Sequence, residues 1–274
     1  MNAQPQPNRL FFIALLYVPL AVLLYQCSSI TNAIFPASQD VGLGSQLDNE
    51  IRSNPKEYPI LGDVSSKQYV QNIINQIIQA RDIQYRGVFP YKSEIIRDDK
   101  TINAFCTPGG YIYVYTGLIK MLDNEASLAG VLGHEIAHAE RRHSANRMLK
   151  AYGAQILMSM VLGDNPGKTE QVAANLFTGL ALLKNSRDDE SEADDYSFRY
   201  LSSTKWYPGA ISYFFEKVKG HSSGGAAERL LSTHPLPQDR LDAVKKRVQE
   251  AKLVVPSEAN LLSAPYLSFK KRLP

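Results

Sequence analysis

Apolar residues recur along this chain with two periods, and each period predicts a different element. Tyr69, Ile73, Ile74, Ile77 and Ile78 follow helical spacing, so one amphipathic helix is expected there. Residues 91–97 alternate loosely, and Tyr111–Tyr115 (YIYVY) concentrate aromatic and β-branched side chains, as strands do. Thr107-Pro108-Gly109-Gly110 lies between them as a strong turn signal, which predicts a hairpin closing on Tyr111–Tyr115. From Asn124 nearly to Ala251 the pattern is helical, with breaks near 163–167, 206–208, 220–225 and 234–237. Two strongly apolar stretches, 156–162 (ILMSMVL) and 172–183 (VAANLFTGLALL), are too short to span a bilayer and read as core helices. No repeat interrupts the pattern. The expected fold class is α+β, mostly helical with one small antiparallel sheet, in a single body over 38–251. Residues 252–274 follow as a tail.

The N-terminus carries an address. A polar leader ends in Arg9, and residues 10–25 (LFFIALLYVPLAVLLY) then run apolar, which reads as a secretory signal or a short membrane anchor. Cys27, with Leu24 three residues before it, resembles the end of a bacterial lipoprotein signal, although Gln26 stands where a small residue is usual. That resemblance implies a removed signal over 1–26, lipid on Cys27, and a tether over 27–37. It also implies sorting to an outer membrane, from Ser28 directly after the Cys. The alternative is an uncleaved anchor. In both cases the body faces away from the cytoplasm.

Composition removes several classes. Hydrophobic residues make up 44% and charged residues 21%, an ordinary globular mix that excludes a disordered chain. The formal charge of +3 gives no basic footprint, so nucleic acid is set aside as a partner. Cys27 and Cys106 are the two cysteines, too few for a disulfide scaffold, and lipid on Cys27 would leave Cys106 a free, buried thiol.

The chemistry centres on His134-Glu135-Ile136-Ala137-His138. Residues four apart lie about 40° apart around a helix, so both imidazoles can reach one metal ion. Glu135, beside the first of them, can take a proton from the attacking water. Two His donors leave room for a third protein ligand and an exchangeable water, the pattern of a catalytic zinc site. Downstream, Glu190 and Asp194 share one helix face. A division of labour fits them, with Glu190 on the metal and Asp194 bonding the far nitrogen of a ligating His. Glu192 points about 200° away from Glu190 and is a poorer ligand. His143, five residues beyond His138, falls some 140° off the ligand face of a continuous helix and reads as structural, bonding a neighbouring helix. His221, in a Gly/Ser-rich loop, reads as solvated.

HEIAH, its lead-in DNEASLAGVLG, the upstream INAFCTPGGYIYVYTGLI, and the later SRDDESEADDYS and STHPLPQDRL together resemble the M48 zinc metallopeptidases. The likeness is to their soluble periplasmic and lipoprotein members, and it covers most of residues 95–245 in the family's order. It implies a zincin-like gluzincin fold and one Zn2+ per chain on His134, His138 and Glu190. It further implies Glu135 as general base, with Asp194 and Arg240 in support around the ligands. In relatives the His matching His234 lies beside the zinc, and in some it holds the enzyme inactive; donation to the oxyanion is the other role open to it. The likeness also makes the Gly109, Gly110, Tyr111 and Ile112 segment an edge strand that pairs with an extended peptide substrate. The expected function is a zinc endopeptidase for misfolded or damaged envelope proteins, attached to a membrane. The reading from another class is a chaperone-like module with a latent, His234-capped zinc site. An intact Glu135 favours the enzyme, since binding alone needs no general base.

Overall fold

A computed structural model describes residues 35–162, 184–220, 225–234 and 238–274. Helix α1 spans Ala37–Ser53. Helix α2, Val64–Ile77, starts where the Asp63 carboxylate accepts from the Ser66 amide (2.9 Å), which satisfies one of the donors a helix start leaves open. It buries Val70, Ile73, Ile74 and Ile77, the face its spacing predicts. Strands β1 (Lys92–Ile96), β2 (Ala104–Thr107) and β3 (Tyr111–Tyr115) follow.

The expected hairpin joins β2 to β3, with Cys106 opposite Ile112. Its turn needs glycine at Gly109, where φ is +76° and an added Cβ would stand 2.8 Å from the Asp40 carbonyl oxygen. The sheet is not wholly antiparallel, however. Its order is β1-β3-β2, and β1 runs parallel to β3, from Lys92 opposite Tyr111 to Ile96 opposite Tyr115. The 97–103 connection reaches β2 past the C-terminal end of β3, where the Gly117 amide donates to Asp98 O (3.0 Å). Four of the five β1 residues are buried, so the sequence lacks the one-sided alternation that would mark a half-exposed antiparallel strand. Residues 59–61 cover the outer side of β1 through Leu61 N to Ile95 O and Arg97 N to Pro59 O, each 2.7 Å.

After α3 (Thr116–Met121) comes α4 (Glu125–Glu140), capped by Asn124 Oδ1 accepting from the Ser127 amide (2.8 Å). Every residue of α4 is buried. Helices α5 (His143–Tyr152) and α6 (Ala154–Leu162) follow. The apolar run of α6 is helical as expected but is not a core helix throughout: Leu157 and Met160 are buried, while Ile156 and Leu162 are exposed. The stretch 172–183, His221 and the N-terminal segment with Cys27 lie outside the described residues. Among the described residues no helix is long and apolar enough to cross a membrane.

Helix α7 (Arg187–Leu201) opens with a capping box between Ser186 and Asp189. Among the described residues it makes the most extensive helix packing, against α4. Gly133 of α4 allows that approach. A Cβ on Gly133 would meet Ser197 Oγ at 2.8 Å, and Ser197 Oγ donates to Gly130 O (2.8 Å). Helices α8 (Ile211–Gly220), α9 (Glu228–Thr233) and α10 (Gln238–Glu250) complete the wall around α4 and α7. The tail forms α11 (Glu258–Leu261) and α12 (Ser263–Lys270) and packs on the body. Phe269 stacks on Tyr69 of α2 (3.9 Å between centroids), and Tyr266 Oη donates to Ile119 O (2.7 Å). Residues 38–274 form one compact unit.

Candidate metal centre

One turn of α4 aims His134 and His138 the same way, with their Nε2 atoms 3.0 Å apart. The close α4–α7 packing brings Glu190 in from the second helix: Oε2 lies 3.4 Å from His134 Nε2 and Oε1 3.3 Å from His138 Nε2. Zinc bonds of 2.0–2.1 Å at a tetrahedral angle separate neighbouring donors by about 3.3 Å, so the two imidazole nitrogens and the two Glu190 oxygens lie at spacings close to those such an ion requires. His234 ends α9 and brings a fourth donor, and one ligand atom from each of the four residues lies within 4.8 Å of the others. All four are buried.

The far nitrogens of the two imidazoles are held by different means. His134 Nδ1 lies 2.9 Å from Asp194 Oδ1, one helical turn past Glu190. Arg240, from α10, grips Asp194 with Nε and Nη2 (each 2.7 Å) and reaches Glu190 Oε2 with Nη1 (2.6 Å). His138 Nδ1 instead meets His143 Nδ1 at 2.8 Å.

The continuous-helix expectation for His143 therefore fails. Helix α4 stops at Glu140, and Arg142 takes a left-handed conformation (φ +57°), which swings His143 back towards the ligand face. The expected bond to a neighbouring helix is there as well, from His143 Nε2 to Glu192 Oε2 on α7 (2.9 Å). Asn185 carried no signal in the sequence beyond being a polar residue before a helix cap. Its side-chain amide donates to Glu190 Oε1 (2.5 Å) and lies 3.1 Å from His234 Nδ1, while its main-chain amide donates to Thr233 O. It fastens the start of α7 to the end of α9 at Glu190 and His234.

Charge is arranged to favour cations. Burial alone would raise the Glu190 carboxyl, but the surrounding His234, His134 and His138 hold it far below the usual carboxylate range. Burial likewise opposes ionisation of Asp194, and Arg240 outweighs it, so its carboxyl also lies low. His134 is pushed up to about 9: burial works against its proton, and the bonds to Asp194 and Glu190 prevail. His138 is pushed well below the ordinary histidine value by burial and by its neighbour His134.

Glu135 is buried beside these candidate donors, with Oε1 3.9 Å from His234 Nε2. Cys106 is free and buried, and burial, with the charge of Glu135 nearby, pushes its thiol well above the ordinary value. Apolar side chains of Val131, Ile211, Phe214, Phe215 and Leu230 line the space in front of His134 and Glu135, with Ala104 of β2 at its edge. The Gly109–Ile112 segment is not at an edge. Strand β3 is central, with its main chain engaged on both sides, and Gly109 and Gly110 are spent on the hairpin turn. Among the described residues no strand pairs with the outer side of β2.

An H-E-x-x-H helix whose third donor is a glutamate on the next packed helix, beside a small sheet, defines the zincin-like class. Residues 65–248 match the Peptidase family M48, and the chain belongs to that family. It is 26% identical over 229 residues to the beta-barrel assembly-enhancing protease of Escherichia coli K12, covering 79% of this chain and 45% of that one. A putative beta-barrel assembly-enhancing protease of Vibrio cholerae is 26% identical over 233 residues, covering 81% and 46%. The mitochondrial metalloendopeptidase OMA1 of Schizosaccharomyces pombe is 30% identical over 188 residues, covering 68% and 54%. The chain thus spans about half the length of these curated relatives.

Proposed function

We propose that the chain is a zinc endopeptidase that cleaves unfolded or damaged proteins of a bacterial cell envelope. The observation that carries this is the convergence of His134, His138 and Glu190, with donor atoms 3.0–3.4 Å apart and Glu135 buried beside them. Bound there, zinc supplies Lewis acidity to the scissile carbonyl and to the attacking water. Glu135 takes the proton from that water and returns it to the leaving amine, which needs a carboxylate at this position and nothing from its neighbours but orientation. Asp194 and Arg240 keep His134 aimed through the reaction.

The substrate lies along β2. Tyr115 N donates to Asn103 O (3.0 Å), and antiparallel pairing alternates, so the main-chain groups of Ala104 and Cys106 face the open side. An extended peptide adds there as a strand, irrespective of most of its side chains. The names of the E. coli and V. cholerae relatives support envelope proteins as clients, and lipid on Cys27, or an anchor over residues 10–25, would keep the enzyme at the membrane.

His234 favours a second, latent state of the same site. Its donor is close enough to the other three to fill the fourth position, which would leave a chaperone-like module until it swings away. Zinc content measured together with casein cleavage on the full chain tests both readings. Glu135→Gln is expected to keep one zinc per chain and lose cleavage by orders of magnitude, and cleavage unchanged in this variant would sink the protease reading. His234→Ala raises cleavage if His234 caps the site and lowers it if His234 serves the oxyanion.

A further inference from the structure

Helix α4 carries two ligating histidines, and only one of them has a carboxylate on its far nitrogen. For His138 to present Nε2 to a metal as a lone pair, its ring proton must be on Nδ1. The atom 2.8 Å away is His143 Nδ1, which must then accept, so the proton of His143 is on Nε2. That N–H donates to Glu192 Oε2 at 2.9 Å. The chain of bonds from ion to carboxylate is therefore consistent in only one direction, and each tautomer fixes the next.

The surrounding structure is built to hold this line. Arg142, the left-handed residue that turns His143 inward, is clamped by Asp40 of α1 through Nε to Oδ2 (2.7 Å) and Nη2 to Oδ1 (2.9 Å), both side chains buried. A non-glycine residue in that conformation costs free energy and persists only where neighbours impose it. Glu192 has its other oxygen occupied by Arg141 Nε at 2.9 Å, so the carboxylate cannot rotate away from His143.

We propose that His143 is a positioning residue for the metal: it fixes the tautomer and ring orientation of His138, and Glu192 fixes His143 in turn. This rests on the zinc reading of the site and adds to it a second support line, from α7 through an imidazole. Partners of this kind set both the orientation and the basicity of a ligating histidine.

The test is zinc affinity of the full chain in detergent, by competition with a fluorescent chelator, beside the visible absorption of the Co2+-substituted protein. His143→Ala is expected to weaken zinc binding about 10–100-fold with helix content unchanged, and to shift the Co2+ bands. His143→Asn, whose side-chain carbonyl can still accept from His138 Nδ1, recovers part of the affinity, which general loosening of the fold would not do. Wild-type affinity and unshifted bands in His143→Ala overturn the proposal. Should that variant not fold, Glu192→Ala decides, because its carboxylate is partly exposed: a several-fold loss supports the line, and no loss overturns it. A wild-type chain that binds zinc without cleaving casein, with His234→Ala equally inactive, ends the peptidase reading and leaves this one intact. A wild-type chain that binds no zinc ends both.

Discussion

At the scale of single residues, the site is a contest between desolvation and charge, and the outcome differs for its two helical histidines. His134 keeps a proton up to about pH 9 because Asp194 and Glu190 outweigh its burial, whereas His138 gives up its proton far more readily. With the metal chelated, the raised His134 value stabilises the fold in full below about 6.5, and that stabilisation is lost as pH rises through about 9. Thermal melting in EDTA is expected to show a melting temperature that falls across this window. Asp194→Asn removes the larger partner and should flatten the fall. A wild-type profile as flat as that of the variant would show that the carboxylates do not hold the proton.

At the scale of elements, the decisive contact is between α4 and α7, and Gly133 is its narrowest point. A branched side chain there would push into Ser197 and Leu201 and separate the helices that carry His134 and Glu190. Gly133→Val is expected to cost about 1–3 kcal/mol in urea unfolding with zinc present and to weaken zinc binding at the same time. Unchanged stability and affinity would mean that the helices can slide without loss.

The legible part of the site was the part written in helical period. His134 and His138 at four residues, and Glu190 and Asp194 at four, fix their faces whatever surrounds them. What escaped depended on contacts from afar. The end of α4 has no glycine or proline, because the left-handed Arg142 is imposed by Asp40 from a hundred residues upstream. A run such as YIYVY announces a strand but not its neighbours, so the likeness that put Tyr111 and Ile112 on an edge could not be checked until β1 was seen to pair with it. Asn185 and Glu192 act by where α7 sits, which no local spacing reports.

At the scale of the whole molecule, the tail belongs to the structure that carries α4. Phe269 is buried against Tyr69, and Tyr69 Oη and Trp206 Nε1 both donate to Glu125, the first residue of α4. Lys270 Nζ donates to the carbonyls of Lys120 and Leu122 just ahead of that helix. Phe269→Ala is expected to cost about 3–5 kcal/mol, seen as a lower urea midpoint with an unchanged slope. A change near zero would make the tail an ornament on the body.

The four donors come from α4, α7 and the end of α9, and His134 and His234 stand a hundred positions apart. During synthesis the H-E-x-x-H helix emerges long before its last partner, and a loop of that length must close before the donors meet. A half-made or half-threaded chain therefore holds ligands but no site, and metal binding is tied to finished folding. Under the proposed function, a destructive activity assembled this way is born switched off, and the chain's own completion is the signal that arms it.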